Sequence, residues 1–430
     1  MSRRDRIIAF TALLGGTLCF TAASAQAVKP NPPPQLCVNS QCATTQGPAS
    51  GSGGAPSSSH QIKWNPGHYM ASYTKIVGSS TPSLAPLQLE MDDLNNQDAI
   101  VGYRIWISWG AMERTQGTYD FSLLDAALTR LKTAYNKPKH LIIGLWMYGQ
   151  QGLSNNEDWR VLPLYIQQNP KYGASPVAGS YGWWGPSSNG KSTGQWAPAF
   201  YNPAVMDRFI ALVQALGNHF DSDPYVEGLY IQEDSAIAEA GGNSSPADPN
   251  YSDQAWSAQL ERLLTASTAA FPHTSVIEAN TWLVRPQPTV ALQEWMLSNR
   301  IAPSAQDTWG QSAINQYGTS NLADGIQTML GTDAAGGIGD MRPKTRAMMD
   351  VESDELASPR VNAYGGPWTP LDILNALNQT YWASHAFWTR FPPGSTYNAV
   401  PVPAAAIWPN MAATLSQNPL THTDYPANYP

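Results

Sequence analysis

Short apolar runs recur about eight times over residues 60–416, each followed by a stretch with helical spacing. The runs are Gln61–Ala71, Ala99–Trp109, Lys139–Tyr148, Val226–Ile231, Thr274–Asn280, Ile301–Trp309, Thr345–Glu352 and Ala383–Thr389. Most are too short for helices and lack polar alternation, the mark of strands covered on both faces in a parallel sheet. Between them, Phe121, Leu124, Leu128 and Leu131 repeat at helical spacing, as do Val205, Phe209, Leu212, Leu216 and Phe220. Asn202-Pro203 and Thr369-Pro370 open helices with a capping side chain and a proline in the first turn. Eight strand–helix units in one chain fit an α/β fold of the closed (β/α)8 TIM-barrel type better than an open sheet. The reading is one catalytic domain over 60–416, with a long Trp-rich loop after strand three at Gly149–Tyr201.

The ends are of a different kind. Residues 1–27 carry Arg3, Arg4 and Arg6, an apolar run Ile7–Phe20, and Ala23-Ser24-Ala25 or Ala25-Gln26-Ala27 as small-residue cleavage sites. That is the pattern of a signal peptide, so the expected location is exported, periplasmic or secreted, by a Sec or a Tat route. Residues 28–59 are rich in Pro, Ser, Gly and Gln and read as a leader or linker, and 417–430 as a tail. Removing the first 27 residues takes away three Arg and one Asp and moves the net charge from −8 to −10. So acidic a chain argues against nucleic acid or an anionic membrane as its main partner, and the apolar run is too short to span a bilayer well. Cys37 and Cys42 stay behind and are placed to pair in an oxidising compartment. Sixteen Trp and nineteen Tyr against 13% charged residues lean towards carbohydrate, because aromatic faces stack on sugar rings.

In a barrel the carboxyl ends of all strands share one face, so chemistry is sought there. Strand four delivers Gln232, Glu233 and Asp234; strand seven delivers Glu352, with Asp350 as the next candidate. Two carboxylates in one pocket divide acid and nucleophile roles when their surroundings push their pKa values apart. Arg104 on strand two is the expected cation beside them. His68, Trp146, Tyr148, Asn280, Trp282, Asp307, Trp309, His385 and Trp388 fall near strand ends and, as a set, suit a sugar subsite. No glycine-rich phosphate loop, G-x-S-x-G elbow or metal-ligand cluster is visible, and no cofactor is called for.

At these residues the chain resembles clan A, the (β/α)8 retaining glycoside hydrolases. Glu233 and Glu352 end strands four and seven, and RIWISWGAMERTQGTYDFSLLD, Arg104–Asp125, is similar to the second-strand segment of several clan A families. The resemblance spans about residues 61–416, mostly as architecture. It implies Glu233 as acid/base, Glu352 as nucleophile and Arg104 as the neighbour that keeps the nucleophile ionised. Gln232 stands where the clan has Asn, a longer stem carrying the same amide. The expected activity is retaining hydrolysis of an oligo- or polysaccharide. The rivals are an inverting glycosidase on the same barrel and an inactive secreted carbohydrate-binding barrel.

Overall fold

The computed structural model describes residues 61–78, 83–146, 161–173, 181, 183–184, 197–231, 252–279, 286–305, 308–322, 324–332, 339–357, 368–397 and 399–429. Eight strands form its centre. They are β1 (Gly67–Ile76), β2 (Ile100–Ser108), β3 (His140–Trp146), β4 (Val226–Ile231), β5 (Ser275–Ala279), β6 (Ile301–Ser304), β7 (Ala347–Val351) and β8 (Ala383–Thr389). Their hydrogen-bonded order is β6-β5-β4-β3-β2-β1-β8-β7, and every ladder is parallel. The two free edges are stitched together: the Asp350 N–H donates to the Ala305 carbonyl at 3.1 Å, and the Thr308 hydroxyl to the Asp350 carbonyl at 2.7 Å. The result is a nearly closed (β/α)8 barrel.

The connecting helices include α1 (Ala85–Asp92), α2 (Ser122–Thr133), α3 (Pro203–Phe220), α4 (Asp253–Ala270), α5 (Pro286–Ser298) and α6 (Pro370–Ala376). Asn202 caps α3 as its sequence announces, its side-chain oxygen accepting the Ala204 N–H at 2.9 Å. The α3 stripe read from sequence, Val205 to Phe220, is buried. Among the described residues, no helix is long and apolar enough to cross a membrane.

Inside the barrel, rings fill space that glycines leave. A Cβ at Gly102 would lie 2.2 Å from the Tyr69 ring and 2.5 Å from the His140 carbonyl oxygen; one at Gly144 would lie 2.7 Å from the Trp106 ring. Backbone on one side of Gly102 leaves that site no way to relax. A Gly102→Ala variant should therefore lose about 1–3 kcal/mol of stability, read as a lower urea midpoint; an unchanged midpoint would refute this packing.

Strands one and six differ most from the sequence reading. Strand one runs over 67–76 rather than 61–71. Residues before Pro66 are engaged elsewhere, with Lys63 N–H donating to the His273 carbonyl and Asn65 N–H to Glu227. At its other end β1 continues past a bulge: Ala71 lies opposite Arg104 but Lys75 opposite Trp106, so four steps on β1 match two on β2. Glu90 of α1 holds that bulge, accepting the Thr74 N–H at 2.9 Å and the Tyr103 hydroxyl at 2.8 Å. Strand six ends at Ser304.

The final residues, read as a tail, pack under the amino-terminal ends of the strands. Trp64 donates its indole N–H to the Thr423 carbonyl at 2.7 Å and meets Tyr425, Tyr429 and His385 edge-on. The Asn428 N–H donates to the Lys344 carbonyl at 2.9 Å, and Arg346 pairs with Asp424.

Candidate active site

Arg104 lies on the inner face of β2, 2% exposed, and its guanidinium reaches across the barrel to Asp350 of β7 at 2.5 Å. Burying that charge requires both a partner and a shell that tolerates it. The shell is aromatic: the guanidinium carbon sits 4.2 Å from the Trp106 ring centroid, 5.0 Å from Tyr230 and 5.5 Å from Phe387. Two residues beyond Asp350 on the same face of the strand comes Glu352, half-buried, where β7 ends. The carboxylate nearer the middle of the barrel is thus committed to Arg104, and the next one stands at the mouth.

Tyr230, the inward residue near the end of β4, reports both acids. Burial pushes its phenol well above the ordinary value, Asp350 and Glu352 add to that, and Arg104 opposes it. Its hydroxyl shares a hydrogen bond with Ser304 at 3.1 Å. Trp106 meets Trp146 edge-on at 5.7 Å and Tyr230 at 5.3 Å, so one wall of the mouth is aromatic. Lys75 reaches in from β1, its Nζ 3.9 Å from the Trp146 ring centroid. Burial lowers its pKa to about 8, with Glu352 opposing the fall and Arg104 reinforcing it.

The segment after β2 is held by another buried acid. Glu113 accepts the Trp109 indole N–H at 2.7 Å, the Gly117 N–H at 2.6 Å and Arg208 of α3 at 2.5 Å. Residues Glu113–Thr115 and Thr118–Tyr119 form a two-stranded ribbon whose turn needs Gly117 at φ +77°. This turn lies within the Arg104–Asp125 segment that carries the sequence resemblance.

Among the residues selected from sequence, Arg104, Trp146 and Glu352 come together at the mouth. Gln232, Glu233, Tyr148, Asn280, Trp282 and Asp307 lie outside the described residues. Four others are placed elsewhere. His385 is the third residue of β8, not its last, and so sits towards the floor, 3.4 Å from Glu227 Oε1. Trp309 packs against Trp368 at 5.8 Å, and its backbone N–H donates to the Tyr381 hydroxyl.

His68 and Trp388 turn outward. Trp388 donates its indole N–H to His68 Nδ1 at 3.1 Å, and His68 Nε2 lies 3.0 Å from the Asn418 carbonyl. Because indole only donates, Nδ1 must be bare and Nε2 must carry the proton. A second proton has no place, and burial lowers the His68 pKa to about 4, the Asn418 carbonyl opposing. Between about pH 6.5 and 4 the unfolded chain therefore binds a proton that the folded chain refuses. The stability this neutral imidazole contributes is complete above pH 6.5 and drains away as pH falls towards 4, by about 3 kcal/mol in all. A His68→Gln variant, compared with the parent by urea unfolding at pH 7.5 and 4.5, should lose less stability on acidification. Equal losses would exclude His68 as the acid-sensitive group.

The residues that sequence reasoning passed over are Lys75 and the floor network around Glu227. Glu227 accepts the Asn65 N–H and side-chain amide, each at 2.7 Å, and faces His385 and, at 4.0 Å, His140. Burial pushes its pKa up, but the His385 hydrogen bond and charge, with His140 and Asn65, hold it below the usual carboxylate value. The signal was a lone carboxylate inside the apolar run of strand four, which burial obliges to find partners.

No family model matches the chain, and no curated protein does. Among solved structures it is similar to a GH5_18 protein from Streptomyces cattleya in complex with GlcNAc, at 12% identity and a TM-score of 0.49, covering 85% of this chain and 82% of that one. It is also similar to endo-glycoceramidase II from Rhodococcus sp., at 13% identity and 0.47 over 82% and 78%. A third likeness is to the β-mannanase of the blue mussel Mytilus edulis, at 10% identity and 0.45 over 83% and 91%.

Proposed function

We propose that this protein is an exported glycoside hydrolase that cleaves an oligo- or polysaccharide with retention of configuration. The observation that carries the reading is Glu352, set at the mouth on the strand face whose preceding carboxylate, Asp350, is already paired with Arg104. An acid with a committed neighbour below it and aromatic side chains around it suits attack on a sugar carbon. The clan A resemblance of the sequence supplies its partner, Glu233. In the first step a Glu352 oxygen attacks the anomeric carbon as the glycosidic C–O bond breaks, and the leaving oxygen takes the Glu233 proton. In the second, Glu233 accepts a proton from water, whose oxygen attacks the same carbon and releases Glu352 as a carboxylate.

The test is incubation with a panel of plant and bacterial polysaccharides and aryl glycosides, with detection of new reducing ends and proton NMR of the first anomer formed. New ends carrying the starting configuration support the proposal. The opposite anomer replaces it with single displacement through a water molecule. Binding to the panel without turnover would reject it in favour of a carbohydrate-binding barrel.

A further inference from the structure

The floor of the barrel holds a buried acid that the hydrolytic scheme does not use. Glu227 is the extra residue of a bulge in β4, since Val226 lies opposite Leu141 but Gly228 opposite Ile142. Ser384 is extra on β8 in the same way, with Ala383 and His385 opposite Ala347 and Met348. Glu227 and His385 then face each other at 3.4 Å, both withdrawn from water. A carboxylate in that place must be met by donors or cations. Asn65 meets it twice, its backbone N–H on Oε1 and its side-chain amide on Oε2, each at 2.7 Å. Residues 61–66 run up to β1 outside any strand ladder. The Tyr69 hydroxyl holds the Asn65 carbonyl at 2.7 Å. The other bonds of this stretch go to uncharged acceptors: the Tyr425 hydroxyl for Ile62 N–H, the His273 carbonyl for Lys63 N–H, the Asp221 and Asp223 carbonyls for the Lys63 ammonium, and the Thr423 carbonyl for the Trp64 indole. Hydrogen bonds to a carboxylate are about twice as strong as those between neutral groups, so the Asn65–Glu227 pair is the firm point of the stretch.

We infer that residues 61–66 are a strap latched over the barrel floor by Glu227: the strap is shut while that carboxylate is charged, and opens locally, with the barrel still folded, when the charge is lost. The titratable groups around Glu227 are Lys63 of the strap, Tyr69 of β1, His140 of β3, His385 of β8 and Tyr429 near the carboxyl terminus. Burial opposes ionisation of Glu227, and His385 and His140 outweigh it, so the strap is shut at neutral pH and opens only in acid below the usual carboxylate range. A neutral carboxyl there accepts more weakly, and an amide turns an N–H towards one of the Asn65 donors. Trp64, Asn65 and Pro66 also line a cavity of about 310 Å³ together with His140. Since Asn65 both lines that cavity and bonds Glu227, a lifted strap opens the cavity to the buried carboxylate and admits water. None of this depends on the chemistry at the mouth, which lies at the other ends of the strands.

Hydrogen exchange of the full chain at pH 7 reads the latch without substrate. Glu227→Gln sets an amide donor against the Asn65 amide. Asn65→Asp sets two carboxylates side by side. Each should speed exchange of the backbone amides of residues 62–65 by about 10- to 100-fold, the effect of losing a hydrogen bond to a charged group, while the amides of β3 and β4 keep the parent rate. The double variant, Asn65→Asp with Glu227→Gln, exchanges the two groups and lets the new amide donate to the new carboxylate. Its exchange at 62–65 should return towards the parent rate. Single variants that exchange like the parent would mean that Glu227 latches nothing. Strand amides that speed up by the same factor, or a single variant that does not fold, would make Glu227 a support of the whole barrel and overturn the strap. A double variant no slower than the singles would overturn the role of the charge. Any of these results leaves the reading of Glu352 and the mouth as it stands.

Discussion

Glu352→Gln will remove hydrolysis, by about 10²–10⁴-fold or more, and leave the folded state almost untouched. Gln keeps the shape of the side chain but has no electron pair of carboxylate basicity, so it neither attacks the anomeric carbon nor departs from it. Removing a positioned acid, base or nucleophile costs rates of that order. Stability should change by less than about 1 kcal/mol, because the residue is only half-buried and Gln fills the same volume. The same exchange at Glu233 should lower the rate most for substrates with poor leaving groups, which need the proton, and least for aryl glycosides with acidic phenols. Equal turnover by the parent and Glu352→Gln, with both folded, would remove Glu352 from the chemistry.

The barrel was legible because each strand announces itself by length and apolarity. Val226–Ile231 and Ala383–Thr389 have the bounds that the residues suggest. Which side chains point inward was not legible, and the reason is physical. A strand covered on both faces carries no alternation, so nothing in ASHAFWT says that His385 and Phe387 face the axis while Trp388 faces the helices. His68 and Trp388 looked like mouth residues only because they lie near strand ends, and parity sends them the other way. Height along the strand misled in the same manner for His385, four residues short of the end of β8. Lys75 was hidden by the bulge, since a strand closed at Ala71 stops before it. Arg104 was easier. A charge inside an otherwise apolar β2 must be paired, and the carboxylates available to it cluster on strand seven.

Arg104→Met should cost about 3–5 kcal/mol of folding stability, far more than any change at the mouth. The pair it breaks is fully withdrawn from water: Arg104 and Asp350 side chains are 2% and 1% exposed, 2.5 Å apart. Methionine fills much of the same space between Trp106, Tyr230 and Phe387, so little of the loss comes from a cavity. The loss comes from Asp350, whose charge would remain at the barrel centre without its cation. Asp350 also joins the two edges of the barrel through its backbone, so a shift of β7 to reach water would strain the closure at Ala305 and Thr308. A second variant separates the lost charge from the lost volume. Arg104→Met combined with Asp350→Leu removes both charges together, and exchange of a buried pair for apolar groups of similar volume is often neutral or stabilising. Urea unfolding should therefore show a deep loss for the single variant and recovery of most of it in the double. A single variant within about 1 kcal/mol of the parent would mean that the pair is not what stabilises the barrel centre.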